Sequence, residues 1–314
     1  MARLRNSSGK NKVFNWIFYR KGTIEMKDVH IHIDRGTCDS PETFLDKTGR
    51  AGVDGGVLLS LEPYGSAVLP DMDQRWQKRL DFVLDYTSKT PGFVPFFYID
   101  PMEIDAEKQV IAAKEAGIAG FKMIADHYYP EQTVDICNLI ASFRLPVLFH
   151  SGILWTIHSQ TACYNRPACF EPLSRCKNLT FALAHISWPW NDECLAVYGK
   201  FAAMRVLGRE MPHLYIDLTP GTPRIYREEA LRKLYYTGYS LEKDILWGTD
   251  LVVNHYDTAR AQKMIAFDNE IYERLATGFE RYLELDRPDV KSEDFSRWKQ
   301  LAFEENFHRF LAGE

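Results

Sequence analysis

Hydrophobic and polar positions along this chain alternate between two periods. Short apolar runs such as Val57-Leu58-Leu59, Phe93-Val94-Pro95-Phe96-Phe97-Tyr98-Ile99 and Pro146-Val147-Leu148-Phe149 have the length of buried strands. Between them, apolar residues recur at spacings of three and four, as on one face of a helix. The pattern predicts strands over 26–34, 52–61, 93–99, 118–124, 146–150, 179–185, 213–219 and 244–250. Helices are expected over 41–50, 76–88, 103–116, 131–143, 192–207 and 227–236, with two or three more ending in 295–311. Ser40 is placed to cap the first helix and Gly117 to close the third. The connection 151–177, with Trp155, His158, Tyr164 and Pro167, is longer than the others and carries only a short helix near 170–175, a pattern typical of functional lids.

Strand and helix in alternation, eight times over, predict an α/β protein, a (β/α)8 TIM barrel, for which about 250 residues is typical. Residues 1–24 then form an N-terminal extension, a basic lead followed by a short strand covering the barrel floor. Residues 25–314 form a single domain with extra C-terminal helices. A doubly wound open sheet is the alternative, but no G-x-G-x-x-G follows the first strand.

Composition narrows the partners. With 46% hydrophobic residues and a net charge of -5, the chain has no long basic stripe to neutralise phosphates, so a small-molecule substrate is expected rather than nucleic acid. No apolar run approaches the ~20 residues of a membrane helix, and the N-terminus lacks the pattern of a secretory signal. Six cysteines without a C-x-x-C pair fit reduced thiols in a cytoplasmic protein. The spacing of Cys163, Cys169 and Cys176 matches no common zinc knuckle. Oligomeric state is left open, a homo-oligomer included.

The candidate chemistry sits at strand ends. Period-two counting puts His30 and His32 on one face of the first strand, with Val29, Ile31 and Ile33 on the other. Lys122 lies late in the fourth strand and His150 ends the fifth. His185 ends the sixth on the face of Leu183 and Phe181, and Asp250 ends the eighth, facing as Gly248 and Leu246 do. Alone, each has a structural explanation: a satisfied histidine, a paired lysine, a helix-capping aspartate. In a parallel barrel, however, the C-terminal ends of all strands meet at one face, where catalytic groups gather.

Taken as an ordered set, these motifs resemble the amidohydrolase superfamily, in the amidohydrolase-related branch that includes aminocarboxymuconate-semialdehyde decarboxylase-like proteins. The likeness rests on Asp28-x-His30-x-His32, Gly120-Phe121-Lys122, Pro146-Val147-Leu148-Phe149-His150-Ser151-Gly152, Leu183-Ala184-His185, Leu246-Trp247-Gly248-Thr249-Asp250 and Glu305-Asn306-Phe307-x-Arg309-Phe310. The resemblance implies a barrel of the metal-dependent hydrolase type. His30, His32, His150 and Asp250 would bind one divalent metal, zinc above others. His185 would stand beside it as a catalytic group together with Asp250. Lys122 would contact a substrate carboxylate, pair as an ammonium inside the barrel, or be carbamylated between two metals. Where relatives often carry glycine after the last histidine, this chain has Ile186-Ser187-Trp188-Pro189-Trp190, so Trp188 is a candidate pocket wall, packing being the alternative. Arg224, in Pro220-Gly221-Thr222-Pro223-Arg224, is a candidate anion contact. The implied reaction is hydrolysis of a C–N or C–O bond in a small carboxylated molecule, with nonoxidative decarboxylation as the alternative.

Overall fold

The structure, a computed structural model, describes residues 26–33, 38–60, 76–154 and 163–314; the N-terminal extension, Trp155 and His158 lie outside them. The elements run β1 (Met26–Ile33), α1 (Pro41–Ala51), β2 (Val53–Ser60), α2 (Trp76–Ser88), β3 (Phe93–Tyr98), α3 (Ala106–Ala116), β4 (Gly120–Met123), α4 (Val134–Ser142) and β5 (Val147–Phe149). After a 3-10 helix at Pro167–Arg175 come β6 (Thr180–Leu183), α5 (Asn191–Val206), β7 (His213–Asp217), α6 (Arg224–Tyr236), β8 (Ile245–Leu246) and β9 (Leu251–Val252). The chain ends with α7 (Thr258–Leu275), α8 (Glu280–Leu283), α9 (Asp294–Gln300) and α10 (Asn306–Ala312). No helix among the described residues is long and apolar enough to cross a membrane.

Every strand pairs in parallel with the next from β1 to β8, and β9 returns to pair with β1. The sheet therefore curls until its two ends meet at residues 247–250, where Val29 N–H donates to the Trp247 carbonyl at 3.0 Å. This is a TIM-barrel-like α/β fold, as the alternation of periods predicts. Both faces of such strands are covered, so each strand divides its apolar side chains between two cores. Val57, Leu59, Phe96, Leu148, Ala182, Ala184, Tyr215 and Leu246 fill the interior. Leu58, Phe97, Phe121, Phe149, Phe181, Leu183 and Trp247 pack outward under the helices. Phe307 and Phe310 of α10 join the interior cluster, and Tyr215 donates its hydroxyl to the carbonyl of Glu314 at 2.6 Å. The C-terminal helix thus packs beneath the barrel at the end where the strands begin.

Local signals explain several boundaries. The Ser40 side chain accepts a hydrogen bond from Thr43 N, Pro41 opens α1, and Gly117 closes α3 in the left-handed conformation. Five expectations need correction. The helix expected over 103–116 starts at Ala106, because Glu103 and Asp105 form the preceding turn and hold the Gln109 amide. The one expected over 131–143 is preceded by a 3-10 turn at Pro130–Thr133, and 295–311 is interrupted by a π-helical turn at Leu301–Glu305. The eighth strand is not continuous: β8 stays with β7, β9 moves to β1, and the backbone between them turns at Asp250. Val29 does not share a face with Ile31 and Ile33, because an irregularity in pairing between Asp28 and Ile31 turns it into the interior cluster.

Candidate metal centre

Midway along β1 the irregularity is stapled by Asp28. Its carboxylate accepts from His30 N at 3.0 Å, from Thr249 N at 3.0 Å and from the Thr249 hydroxyl at 2.6 Å. Burial pushes this carboxyl up to about 7, against the bonds from Thr249 and His30. One residue further, Asp250 N donates to the His30 carbonyl at 2.9 Å, and a left-handed φ of 56° turns the Asp250 side chain into the barrel mouth. Aspartate tolerates that conformation better than most residues. The inward aim of Asp250 agrees with the face expected from Leu246 and Gly248, although the backbone has left β8 by this point.

The result is a compact group. One ligand atom each from His30, His32 and Asp250 lies within 4.8 Å of the others. Asp250 Oδ1 is 3.1 Å from His32 Nε2 and 3.5 Å from His30 Nε2. Burial works to raise the Asp250 carboxyl, but the His32 bond and the imidazoles of His30 and His185 outweigh it and hold the group far below the ordinary carboxylate range. His185 and His150 extend the cluster: ring centroids are 5.2 Å apart for His30 and His185, and 4.9 Å for His185 and His150. The four-ligand set implied by the resemblance is therefore divided, with three members converging and His150 beside His185.

Whether a cation fits is decided by the polar atoms left over. His32 Nδ1, His150 Nε2 and His185 Nδ1 are buried without a hydrogen-bond partner among the described residues. Orphaned buried nitrogens are costly, and imidazoles that carry them, gathered in one cluster with a carboxylate, supply the donor types of a divalent site. Burial holds His30, His150 and His185 below the ordinary histidine range, which keeps their lone pairs available.

Two further side chains bear on His30. The Lys122 Nζ lies 3.5 Å from His30 Nε2, fully inside the barrel, and adds to the depression of the His30 imidazole after burial. On the other ring nitrogen, Nδ1 is 2.7 Å from Asp217 Oδ2, at the end of β7. Asp217 Oδ1 accepts from Thr219 N at 2.6 Å and from the Thr219 hydroxyl. A carboxylate on Nδ1 fixes the tautomer and aims Nε2 into the site. Asp217 was not among the sequence candidates, although the signal was present: an acid closing the apolar run Leu214-Tyr215-Ile216.

The face of His185 is a correction. Phe181 and Leu183 point to the outer core and Ala182 and Ala184 to the interior, so continued alternation would send His185 outward. Instead β6 ends at Leu183, and left-handed backbone at His185 (φ 63°, ψ 21°) swings the ring inward. Trp188 is half-buried and lines a cleft of about 590 Å³ with Trp190, Tyr226 and Lys233, which none of the clustered histidines lines. Arg224 is not a loop residue but the first of α6. It is exposed, and no hydrogen bond or ion pair among the described residues joins it to the cluster.

No protein-family model and no curated protein matches this chain. Among solved structures, the 4-oxalomesaconate hydratase of Rhodopseudomonas palustris is similar over 92% of this chain and 96% of its own, with 11% identity and a TM-score of 0.50. An N-acetylneuraminic acid synthetase of Leptospira borgpetersenii serovar Hardjo-bovis, seen with citrate, covers 82% of this chain and 86% of its own at 12% identity and a TM-score of 0.40. At 11% identity the likeness to the hydratase is one of fold, and it agrees with the TIM-barrel-like architecture.

Proposed function

We propose that the chain is a metal-dependent enzyme of amidohydrolase type that hydrolyses a C–N or C–O bond in a small carboxylated molecule. The observation that carries this reading is the His30–His32–Asp250 group at the strand ends, with His150 and His185 in the same cluster and nitrogens of His32, His150 and His185 that have no partner among the described residues. A divalent ion there, zinc by the nitrogen-rich donor set, would supply Lewis acidity and bring the pKa of a water to near 7. His30, His32 and Asp250 would hold it, with His150 as the further ligand that the resemblance implies. Asp250, which its imidazole neighbours keep ionised, would accept the proton of an attacking water. His185, held neutral by burial, is placed to polarise the attacked carbonyl or to pass a proton. Lys122 offers a buried ammonium for a substrate carboxylate.

That lysine also supports a second reading, nonoxidative decarboxylation at the same site, in which a substrate carboxylate is held beside the ligands and lost as carbon dioxide. The hydratase named above acts on a carboxylated substrate by its name, which agrees with small acids as the substrate class. Elemental analysis of protein purified without added metal tests the site. Less than about a tenth of an equivalent of any transition metal, with no activity gained on adding zinc or manganese, refutes it. Lactones, amides and carboxylated enals, followed for acid and for carbon dioxide release, separate the two reactions. Carbon dioxide without ester, lactone or amide cleavage selects the second.

A further inference from the structure

His185, Ile186 and Ser187 are three consecutive non-glycine residues in the left-handed region, with φ of 63°, 50° and 55°. For a β-branched residue such as Ile186 this conformation is an outlier, and it persists only where the surroundings enforce it. The enforcing contacts come from two sides. Asn191 Nδ2 donates to the Ile186 carbonyl at 2.8 Å, and Trp188 N closes the turn on the His185 carbonyl at 3.1 Å. From the loop after β5, Ile153 N donates to the Trp188 carbonyl at 2.9 Å. In that loop a Cβ at Gly152, where φ is 93°, would stand 2.4 Å from the Trp188 carbonyl oxygen.

A side-chain link joins these two segments. Ser151 Oγ is 2.7 Å from Ser187 Oγ and 3.2 Å from the Asn165 carbonyl, and both serines are fully buried. A hydroxyl has one hydrogen, so Ser187 donates to Ser151 when Ser151 donates to Asn165. Ser151 directly follows His150, and Ser187 is two residues after His185. The two rings these serines flank are 4.9 Å apart, and each ring has a nitrogen without a partner among the described residues.

We propose that Ser151 and Ser187 are a positioning pair whose hydroxyl link couples the loop after β5 to the left-handed turn after β6, so that His150 and His185 keep their mutual placement beside the candidate metal ligands. The functional meaning of the pair rests on the metal-centre reading; the coupling itself does not. Neither serine touches the reacting atoms, since each acts through the histidine beside it. Losing Ser187 leaves Ser151 with the Asn165 carbonyl, and losing Ser151 leaves Ser187 with the Cys194 thiol; either change breaks the link between the two segments and removes a restraint from a turn that its own backbone preferences oppose.

The test compares wild-type protein with Ser151→Ala, Ser187→Ala, the double variant and Ser151→Cys, all labelled with 15N-histidine. Long-range proton–nitrogen spectra read the ring nitrogens, and metal content is measured on each sample. Each alanine variant is expected to shift the ring signals of both His150 and His185 while leaving those of His213, on the far end of the barrel, in place. The double variant should shift them no further than either single one, and Ser151→Cys, which keeps a weak donor, should return them toward wild type. Shifts confined to the histidine next to each substitution, or adding in the double variant, overturn the coupling. So does a lowered unfolding temperature with all ring signals unmoved, which would leave the serines a packing role only. Absence of metal from every sample refutes the proposed function but leaves this result to be read independently.

Discussion

Asp217→Asn preserves the shape of a fully buried side chain and removes one acceptor. The native carboxylate accepts on both oxygens: Oδ2 faces His30 Nδ1 at 2.7 Å, and Oδ1 takes Thr219 N at 2.6 Å together with the Thr219 hydroxyl. An amide has one oxygen and one NH2. If the oxygen stays on His30, the NH2 opposes the Thr219 N–H, and an unsatisfied buried donor costs about 1–3 kcal/mol of folding stability. If the amide flips, its NH2 faces Nδ1, and His30 must carry its proton on Nε2, the atom turned toward Asp250 and Lys122. The lone pair needed by a metal is then lost. Replacing partners of this kind typically weakens metal affinity by about 10–100-fold. That corresponds to about 1.4–2.7 kcal/mol. Zinc competition against a chromophoric chelator at neutral pH reads the affinity, and urea unfolding of the metal-free protein reads the stability. Zinc affinity within about twofold of wild type, with unfolding also unchanged, would refute the role of Asp217, since the hydrogen-bond count leaves no arrangement without a penalty.

Asp268→Ala should be more damaging to the fold. It leaves the buried Arg227 guanidinium without the carboxylate bonded at 2.6 and 2.7 Å and strips Trp247 Nε1 of its acceptor at 3.0 Å, costing about 3–5 kcal/mol, which calorimetry should show as a fall of about 5–10 °C in Tm. Gly221→Ala places a Cβ 2.7 Å from His185 Cβ, so the expected outcome is a displaced His185 ring in the histidine spectra together with about 1–3 kcal/mol of destabilisation by overpacking; an unmoved ring would count against the contact. Glu193 tethers the 3-10 helix after the long loop, through Arg166 and Ala168 N. Burial raises its carboxyl, but those two partners outweigh it and lower it, so its stabilisation is complete above the unfolded value of about 4.3 and is lost as pH falls through the folded one. Glu193→Gln should therefore cost about 0.2–1 kcal/mol in urea unfolding at pH 7, with the gap to wild type closing in strongly acidic buffer.

The alternation of apolar runs with helical periods was enough to place β1 to β8 and most of the helices, though not β9, because burial on both faces of a parallel sheet leaves a local imprint on each segment. Candidate ligands at strand ends were legible for the same reason: a polar residue closing an apolar run stands out wherever its neighbours must be buried. Alternation fails where the backbone leaves the strand. His185 reaches the centre through a left-handed residue, and Val29 turns inward at an irregularity held by Asp28 and Thr249. No period in the sequence encodes those turns, which exist because contacts from other segments enforce them. The pairing of Asp217 with His30 across 187 residues, and the link between Ser151 and Ser187, belong to the same class. Sequence by itself determined which residue types arrive at one face of the barrel. Only the tertiary structure decided which nitrogen of each histidine points where, because that depends on hydrogen bonds and close packing between segments distant along the chain.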